Sequence, residues 1–355
     1  MPNTTSTPHT ITARVSVAPA INILNTIMML SLTEVRSGLS DFVVQTANNF
    51  TPEQKRDNAV ATYLLDIGME HALNAPSFEA YLTTLETVDF AAGIHKILRG
   101  LCTDEAPIHT PEALLASREL FVQVISERHM HKGEDIDPII LYRVHELMED
   151  PEEARRFVIG HLLLLYHHVV SDGWHRHLPT IEAAVRAFDN VDLTDLTPLE
   201  AVQAVTGRDM TGFVEDTEDI DEIVFVPSVH CGPYVSRDQI DRTLVLVFGA
   251  RPPEGVQNAS VELSLRDVLL QLSALADDTR LHILVLLTRN NELCNADFQQ
   301  MLSLSQSSVS RHLRQLVATG FLNERRRDLN KYYSLNTRRV YETNAALQML
   351  LTRRG

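Results

Sequence analysis

The periodicity of this 355-residue sequence changes repeatedly between Asn295 and Asn336, and that succession restricts the fold more than any other feature. After the tripeptide ELC, ADFQQML has helical spacing that Asn295 can cap, and SLS is short enough for a tight turn. QSSVSRHLRQLVATG is a second helix with Ser305 as its N-cap, in which Val309, Leu313 and Leu316 recur at i, i+4 and i+7 and form the buried stripe. FLNERRRDLNKYYSLN then alternates as two strands about the polar turn Asp328-Leu329-Asn330, so a β-hairpin follows the helix. Upstream, LRDVLLQLSAL is amphipathic, Asp277-Asp278 offers a cap, and TRLHILVLLTRN is a further helix with an almost wholly apolar face.

The face of the second helix opposite the stripe has a definite chemistry. Gln306, Ser307, Ser310, Arg311 and Arg314 crowd it with hydrogen-bond donors and no carboxylate. Arginine can pair in bidentate fashion with guanine, and glutamine with adenine, on a major-groove edge. Ser305, Ser307 and Ser308, at the helix N-terminus, suit phosphate contacts. Arg327, Asn330 and Lys331 flank or form the hairpin tip, where they can meet the backbone or an adjacent minor groove. A charged helix face is more often merely solvated, but here short helix, turn, capped helix and arginine-flanked hairpin come in the order that helix-turn-helix geometry needs.

A formal charge of −16 speaks against a nucleic-acid partner only if it is evenly spread. It is not. From Val261 onward there are 13 Lys and Arg against 9 Asp and Glu, +4, which leaves 18 against 38, −20, for the rest. The paired prolines and small polar residues of GARPPEGVQNAS mark the break between them. The expected domains are therefore an acidic regulatory or dimerisation domain over 1–250, a linker over 251–262, and a DNA-binding domain over 263–355.

Together, ALADDTRLHILVLL, ELCNADFQQML, LSQSSVSRHLRQLVATGFL and RRRDLNKYYSLN resemble the ArsR-type winged helix-turn-helix of bacterial transcription regulators, over roughly the last quarter of the chain. The resemblance implies a homodimeric transcription factor, often a repressor, that reads double-stranded DNA at an inverted-repeat operator. It also implies that LSQSSVSRHL supplies the groove-reading residues, while LRDVLLQLSAL and RRVYETNAALQMLL supply the dimer contact. Family wings commonly carry glycine at the tip. Here Asn330 is expected to take any left-handed position, which asparagine tolerates better than most residues.

The acidic part opens with ITARVSV, a short strand by period, and turns helical at APAINILNTIMMLSL. Helical spacing recurs in TPEQKRDNAVATYLLDIGMEHAL, SFEAYLTTLETV, TPEALLASRELFVQVISERH and DPEEARRFVIGHLLLLYHHVV; Thr51-Pro52, Thr110-Pro111 and Asp150-Pro151 read as caps followed by proline at the first helical position. DEIVFVPSVHCGPYV and, after a polar loop, RTLVLVFGA are valine-rich strands that with ITARVSV make a small sheet. The fold class expected is mainly α (α+β): a helical domain with a small sheet, then a winged helix-turn-helix. DPEEARRF, the segment from Trp174 to LPTIEAAV, and VFVPS also resemble, more weakly, the long N-terminal extensions of some ArsR-type regulators.

What controls such a protein is less marked. Many ArsR-type proteins sense metal through cysteines around the ELC motif or through ligands on the last helix. Here Cys294 stands alone, Ala296 and Asp297 occupy the positions where further thiols are expected, and RRVYETNAALQMLLTRR holds no histidine. One thiolate does not make a soft-metal site, so Cys294 is expected to pack as a small buried hydrophobe. His161, His167, His168, His175 and His177 crowd into one stretch, with His129 and His131 elsewhere. His161 and His168, seven apart, can share a helix face, whereas His175 and His177 are expected in a loop or a new helix.

No ordered ligand set such as HExxH appears. His230-Cys231 reads as a turn fixed by Pro227, Gly232 and Pro233, and Trp174 as a core anchor. Neither a nucleophile elbow nor a phosphate loop is present, so neither enzyme nor cofactor is implied; a metal-responsive regulator using the histidines, or an enzyme tethered to a DNA reader, are the alternatives. Three scattered cysteines, with no basic stretch before an apolar core at the start and no apolar run long enough to span a bilayer, point to the cytoplasm and to no membrane partner. The effector, small molecule or protein, is left to the acidic domain.

Overall fold

The computed structural model describes residues 11–36, 38–102, 109–131, 136–194, 196–206, 219–250, 265–327 and 330–352. They fall into two compact units, one made of Ala18–Val35 and Leu39–Pro179, the other of Met1–Val17, Arg36–Gly38 and Thr180–Gly355.

The first unit is all helix. α1 (Pro19–Ser31) is its axis, with ten of thirteen residues buried, Asn22, Asn25 and Thr26 among them. Around it come α2 (Asp41–Asn49), α3 (Pro52–Thr62), α4 (Met69–Ala72), α5 (Phe78–Leu85), α6 (Phe90–Leu101), α7 (Pro111–Ala116), α8 (Arg118–His131), α9 (Pro138–Glu149) and α10 (Pro151–Leu165). The expected caps form. Thr51 accepts from the Gln54 N–H at 3.2 Å while Gln54 Oε1 accepts from the Thr51 N–H at 2.9 Å, and Thr110 and Asp150 cap α7 and α10. Each such cap is worth about 1 kcal/mol to a helix start. Two long helical stretches are divided where the backbone must turn: Gly68 (φ 78°) opens α4, and Ser117 leaves the helix between α7 and α8.

α10 does not end at the histidines. It runs through a π-helical turn, Tyr166–Val170, into α11 (Ser171–Ala187), whose residues after Pro179 belong to the other unit. His175 and His177 therefore lie on α11. Wider i→i+5 turns alter the helical register between His161, which is half-buried, and His168, which is exposed. His161 Nε2 lies 3.0 Å from Asn58 Oδ1, and Tyr166 donates to Glu79 at 2.6 Å. The side chain of His131 lies outside the described residues.

In the second unit a four-stranded sheet has the order β1 (Thr12–Val15), β2 (Glu222–Ser228), β4 (Thr243–Gly249), β3 (Ser236–Ile240). β1 and β4 run parallel to β2, and β3 antiparallel to β4. Ile223, Phe225, Leu244, Leu246 and Phe248 face α12 (Pro198–Thr206) and Phe188 in one apolar cluster. Val224, Val226, Val245 and Val247, on the alternate positions, are fully buried too. Burial on both faces explains why these strands read as continuous apolar runs.

β3, SRDQI, is where a polar loop was expected. Among the described strands it pairs with β4 alone, and at this edge its side chains run from buried at Ser236 and Ile240 to exposed at Gln239, with no apolar alternation. Pro227 lies inside β2 rather than in the turn; Ser16 N–H still donates to Phe225 O at 2.9 Å, and Pro227, with no N–H to offer the next rung, stands where the pairing with β1 stops. His230 and Cys231 follow in the turn, both buried. The chain after Ala250 as far as residue 264, including the expected linker 251–262, lies outside the described residues.

The rest of this unit is a winged helix: α13 (Leu265–Leu275), α14 (Asp278–Arg289), β5 (Leu293–Cys294), α15 (Asn295–Leu302), α16 (Gln306–Ala318), β6 (Leu322–Arg327), β7 (Asn330–Leu335) and α17 (Thr337–Thr352). The wing has three strands, not two, because ELC adds β5 to the far side of β7. Ile283, Leu287, Phe298, Val309, Leu313, Leu316 and Phe321 form its core. Among the described residues no helix is long and apolar enough to cross a membrane.

Candidate nucleic-acid interface

The turn before α16 sets its direction. Ser303 closes α15 in the left-handed region (φ 54°), and its N–H donates to Gln299 O. Ser305 then caps α16: its Oγ accepts from the Ser308 N–H at 3.3 Å and lies 3.1 Å from Ser307 Oγ. Val309, Leu313 and Leu316 are buried as the periodicity predicts, and so are His312 and Gln315. On the other side Gln306 and Arg311 are exposed, and Ser307, Ser308, Ser310 and Arg314 half-buried. The fold thus brings the candidate groove-reading residues onto one accessible surface of a helix whose opposite surface is locked into the core.

A polar hub fixes that helix against its neighbours. Asp277 caps α14 by accepting from the Arg280 N–H at 2.9 Å. The Arg280 side chain donates through Nη1 to Gln315 Oε1 on α16 at 2.8 Å, through Nη2 to Ser273 O at 2.9 Å, and through Nε to Ala274 O. One guanidinium therefore ties the end of α13 and the start of α14 to the C-terminal half of α16. His312 Nδ1 lies 3.6 Å from Asp277 Oδ1. Burial pushes its imidazole below the ordinary range, Asp277 pulls the other way, and Arg311 and Arg280 reinforce the depression. The Asp277 cap was legible in sequence; the rest of the hub was not, since Arg280 and Gln315 meet only through tertiary packing.

The ELC region departs from expectation in two ways. Cys294, not Asn295, is the N-cap residue of α15, and Asp297 secures the start by accepting from the Cys294 N–H at 2.8 Å. Asn295 instead donates to Ser310 Oγ at 2.8 Å and accepts from Gln299 Nε2 at 2.9 Å, cross-linking α15 to α16. Cys294 is half-buried rather than fully packed, because its backbone pairs with Tyr332 in the wing and holds the side chain on the sheet's outer face. Among the described residues no group of three His, Cys, Asp or Glu could hold a metal ion.

In the wing, Arg327 pairs in register with Asn330 and Arg326 with Lys331. Asn330 is an extended residue of β7 and does not take the left-handed position; residues 328–329 of the tip lie outside the described residues. Three of the wing cations have carboxylate partners. Lys331 Nζ is 2.6 Å from Glu324 Oε1, Arg327 Nη2 is 3.6 Å from Glu292 Oε2, and Arg325 Nη2 binds that same oxygen. Arg325 and Glu292 went unremarked in the sequence, although Arg325 stands two residues from Arg327 and so on its face.

Residues 277–324, from the Asp277 cap into β6, match the family model described as "Bacterial regulatory protein, arsR family". The arsenic resistance transcriptional regulator ArsR1 of Pseudomonas putida is 40% identical over 75 residues, 20% of this chain and 59% of that protein. ArsR2 of the same organism is 36% identical over 78 residues, 22% of this chain and 68% of the relative. The chain belongs to the ArsR family. Another relative, the transcriptional activator HlyU of Vibrio cholerae, is 34% identical over 80 residues, covering 22% and 73% of the two chains. The ArsR-type helix-turn-helix is thus a minor part of a chain with a long, mostly helical N-terminal extension, and the chain spans 59% of the length of ArsR1. The family match begins at the α14 cap and ends inside the wing, so it contains Arg280, Cys294 and all of α16.

Proposed function

We propose that the protein is a cytoplasmic, homodimeric transcription regulator that reads double-stranded DNA at an inverted repeat through α16, and that represses until an effector acts on the part of the chain preceding the winged helix. The observation that carries this reading is the exposed surface of α16, rich in donors and without a carboxylate, on a helix immobilised from behind by Leu313, Leu316 and the Arg280–Gln315 bond. Gln306 and Arg311 are the groups assigned to base edges, with Ser305, Ser307, Ser308, Ser310 and Arg314 toward the phosphates and the rim of the groove. Arg327, Asn330 and Lys331 are assigned to the backbone beside it.

Dimerisation has its own support. α13 and α17 pack together through the Thr343–Gln271 bond (2.7 Å), yet Leu269, Tyr341 and Met349 on these helices are more than half exposed. Apolar surface of this kind on two adjacent helices suits a second copy. No enzymatic role is assigned to the N-terminal part.

The deciding experiment is a salt-dependent binding assay on upstream duplex fragments. Arg311→Ala with Arg314→Ala should lower affinity at least tenfold and flatten the dependence of log K on log salt by about one to two. Unchanged affinity and slope would mean that α16 is not the reading helix.

A further inference from the structure

The outer face of the wing gathers side chains from all three strands. Cys294 is opposite Tyr332 and Tyr332 opposite Arg325, while Arg327 is opposite Asn330, so these residues share one side of the sheet. Glu292, two residues before Cys294, shares that side by the two-residue repeat. Its Oε2 binds Arg325 Nη2 and lies 3.6 Å from Arg327 Nη2. The Arg327 guanidinium also sits over the Tyr332 ring, 5.1 Å from its centroid. Glu292 is the more enclosed partner, 24% exposed against 54% for each arginine.

A cation held by its own carboxylate is a poorer partner for phosphate. It neutralises less backbone charge and releases fewer counterions, so the sequence-independent part of DNA affinity falls and its salt dependence flattens. Exposed ion pairs are individually weak, so such a clasp attenuates binding and does not abolish it. We propose that Glu292 sets the strength of the wing's grip on the DNA backbone by holding Arg325 and Arg327 in intramolecular ion pairs that phosphate must displace. This rests on the reading of the winged helix as a DNA binder. It assigns to the glutamate of ELC a task that Cys294, its neighbour, does not share.

The test uses the full chain and a duplex of random sequence, which isolates backbone binding from base reading. Glu292→Gln keeps the side chain's shape and removes its charge. It should bind about two- to fivefold tighter at low salt, with a log K against log salt slope steeper by up to about 1.8, for two freed cations at about 0.9 each. In a chain already carrying Arg325→Ala and Arg327→Ala, the same substitution should change affinity by less than about 1.5-fold. Tighter binding that persists in that background would overturn the proposal, as would unchanged or weaker binding by Glu292→Gln; the weaker result would mean that Glu292 presents the arginines to DNA. Failure of the unaltered chain to bind duplex DNA at all would overturn the DNA-binding reading itself and this inference with it.

Discussion

His161 is held in a setting that should make the helical unit acid-sensitive. Asn58 donates from Nδ2 to Ile27 O at 3.0 Å and to Ser31 Oγ at 2.7 Å, which leaves Oδ1 as the acceptor for the His161 Nε2–H at 3.0 Å. Phe157 stacks on the imidazole with ring centroids 6.0 Å apart. Burial lowers the His161 pKa from 6.5 to about 4. The unfolded chain therefore takes up a proton below about 6.5 and the folded chain only near 4. The stability that His161 contributes is complete above pH 6.5 and is lost as pH falls through that window. At about 1.36 kcal/mol per pH unit the loss approaches about 3.4 kcal/mol at its limit, and about 2 kcal/mol of it falls between pH 7 and pH 5. Trp174, the only tryptophan, is buried in the same unit, so its fluorescence during urea unfolding reports on this unit. His161→Gln can still donate to Asn58 and cannot titrate. Its stability relative to the unaltered chain should rise by about 2 kcal/mol on going from pH 7 to pH 5. Parallel pH dependences for the two chains would refute both the burial of the imidazole and its link to stability.

Three further outcomes are expected. Ser303→Gly, at a left-handed position, should raise the stability of the winged helix by about 0.5–1 kcal/mol, since relief of backbone strain outweighs the added freedom of the unfolded chain; a lower melting temperature would mean that the serine side chain contributes something the backbone geometry does not reveal. Cys294→Ser should bind DNA with the unaltered chain's affinity with or without arsenite, because one half-buried thiol does not make a soft-metal site; an arsenite response that this variant abolishes would contradict it. Tyr341→Glu, on a residue 75% exposed on α17, should shift the oligomer toward monomer in analytical ultracentrifugation, and a concentration-independent dimer would place the dimer contact elsewhere.

Much of the fold was legible because local chemistry and tertiary role agree. Thr51, Thr110 and Asp150 sit before prolines and cap helices, and the i, i+4, i+7 leucines and valine of α16 are its buried face. The misreadings fall where tertiary contacts decide. β3 is polar because it is an edge, the π turn at Tyr166–Val170 has no periodicity signal, and Cys294 is drawn into the wing by pairing with Tyr332 rather than packed below α15. At the candidate interface the accessible side of α16 could be told from its buried stripe, since helix geometry alone sorts the residues by face. The groups that hold or oppose them could not. Asn295 on Ser310, Arg280 on Gln315 and Glu292 on Arg325 join residues 15, 35 and 33 apart in sequence, beyond any local pattern.

The central claim is that α16 reads bases from a two-fold dimer, and selection of bound sequences from a random duplex library tests it most directly. The unaltered chain should enrich an inverted repeat with half-site centres about one helical turn, roughly 10–11 base pairs, apart. Arg311→Ala should relax preference at one position in each half-site while leaving the others. Enrichment of no sequence, or of a motif without two-fold symmetry that Arg311→Ala leaves intact, would contradict the account.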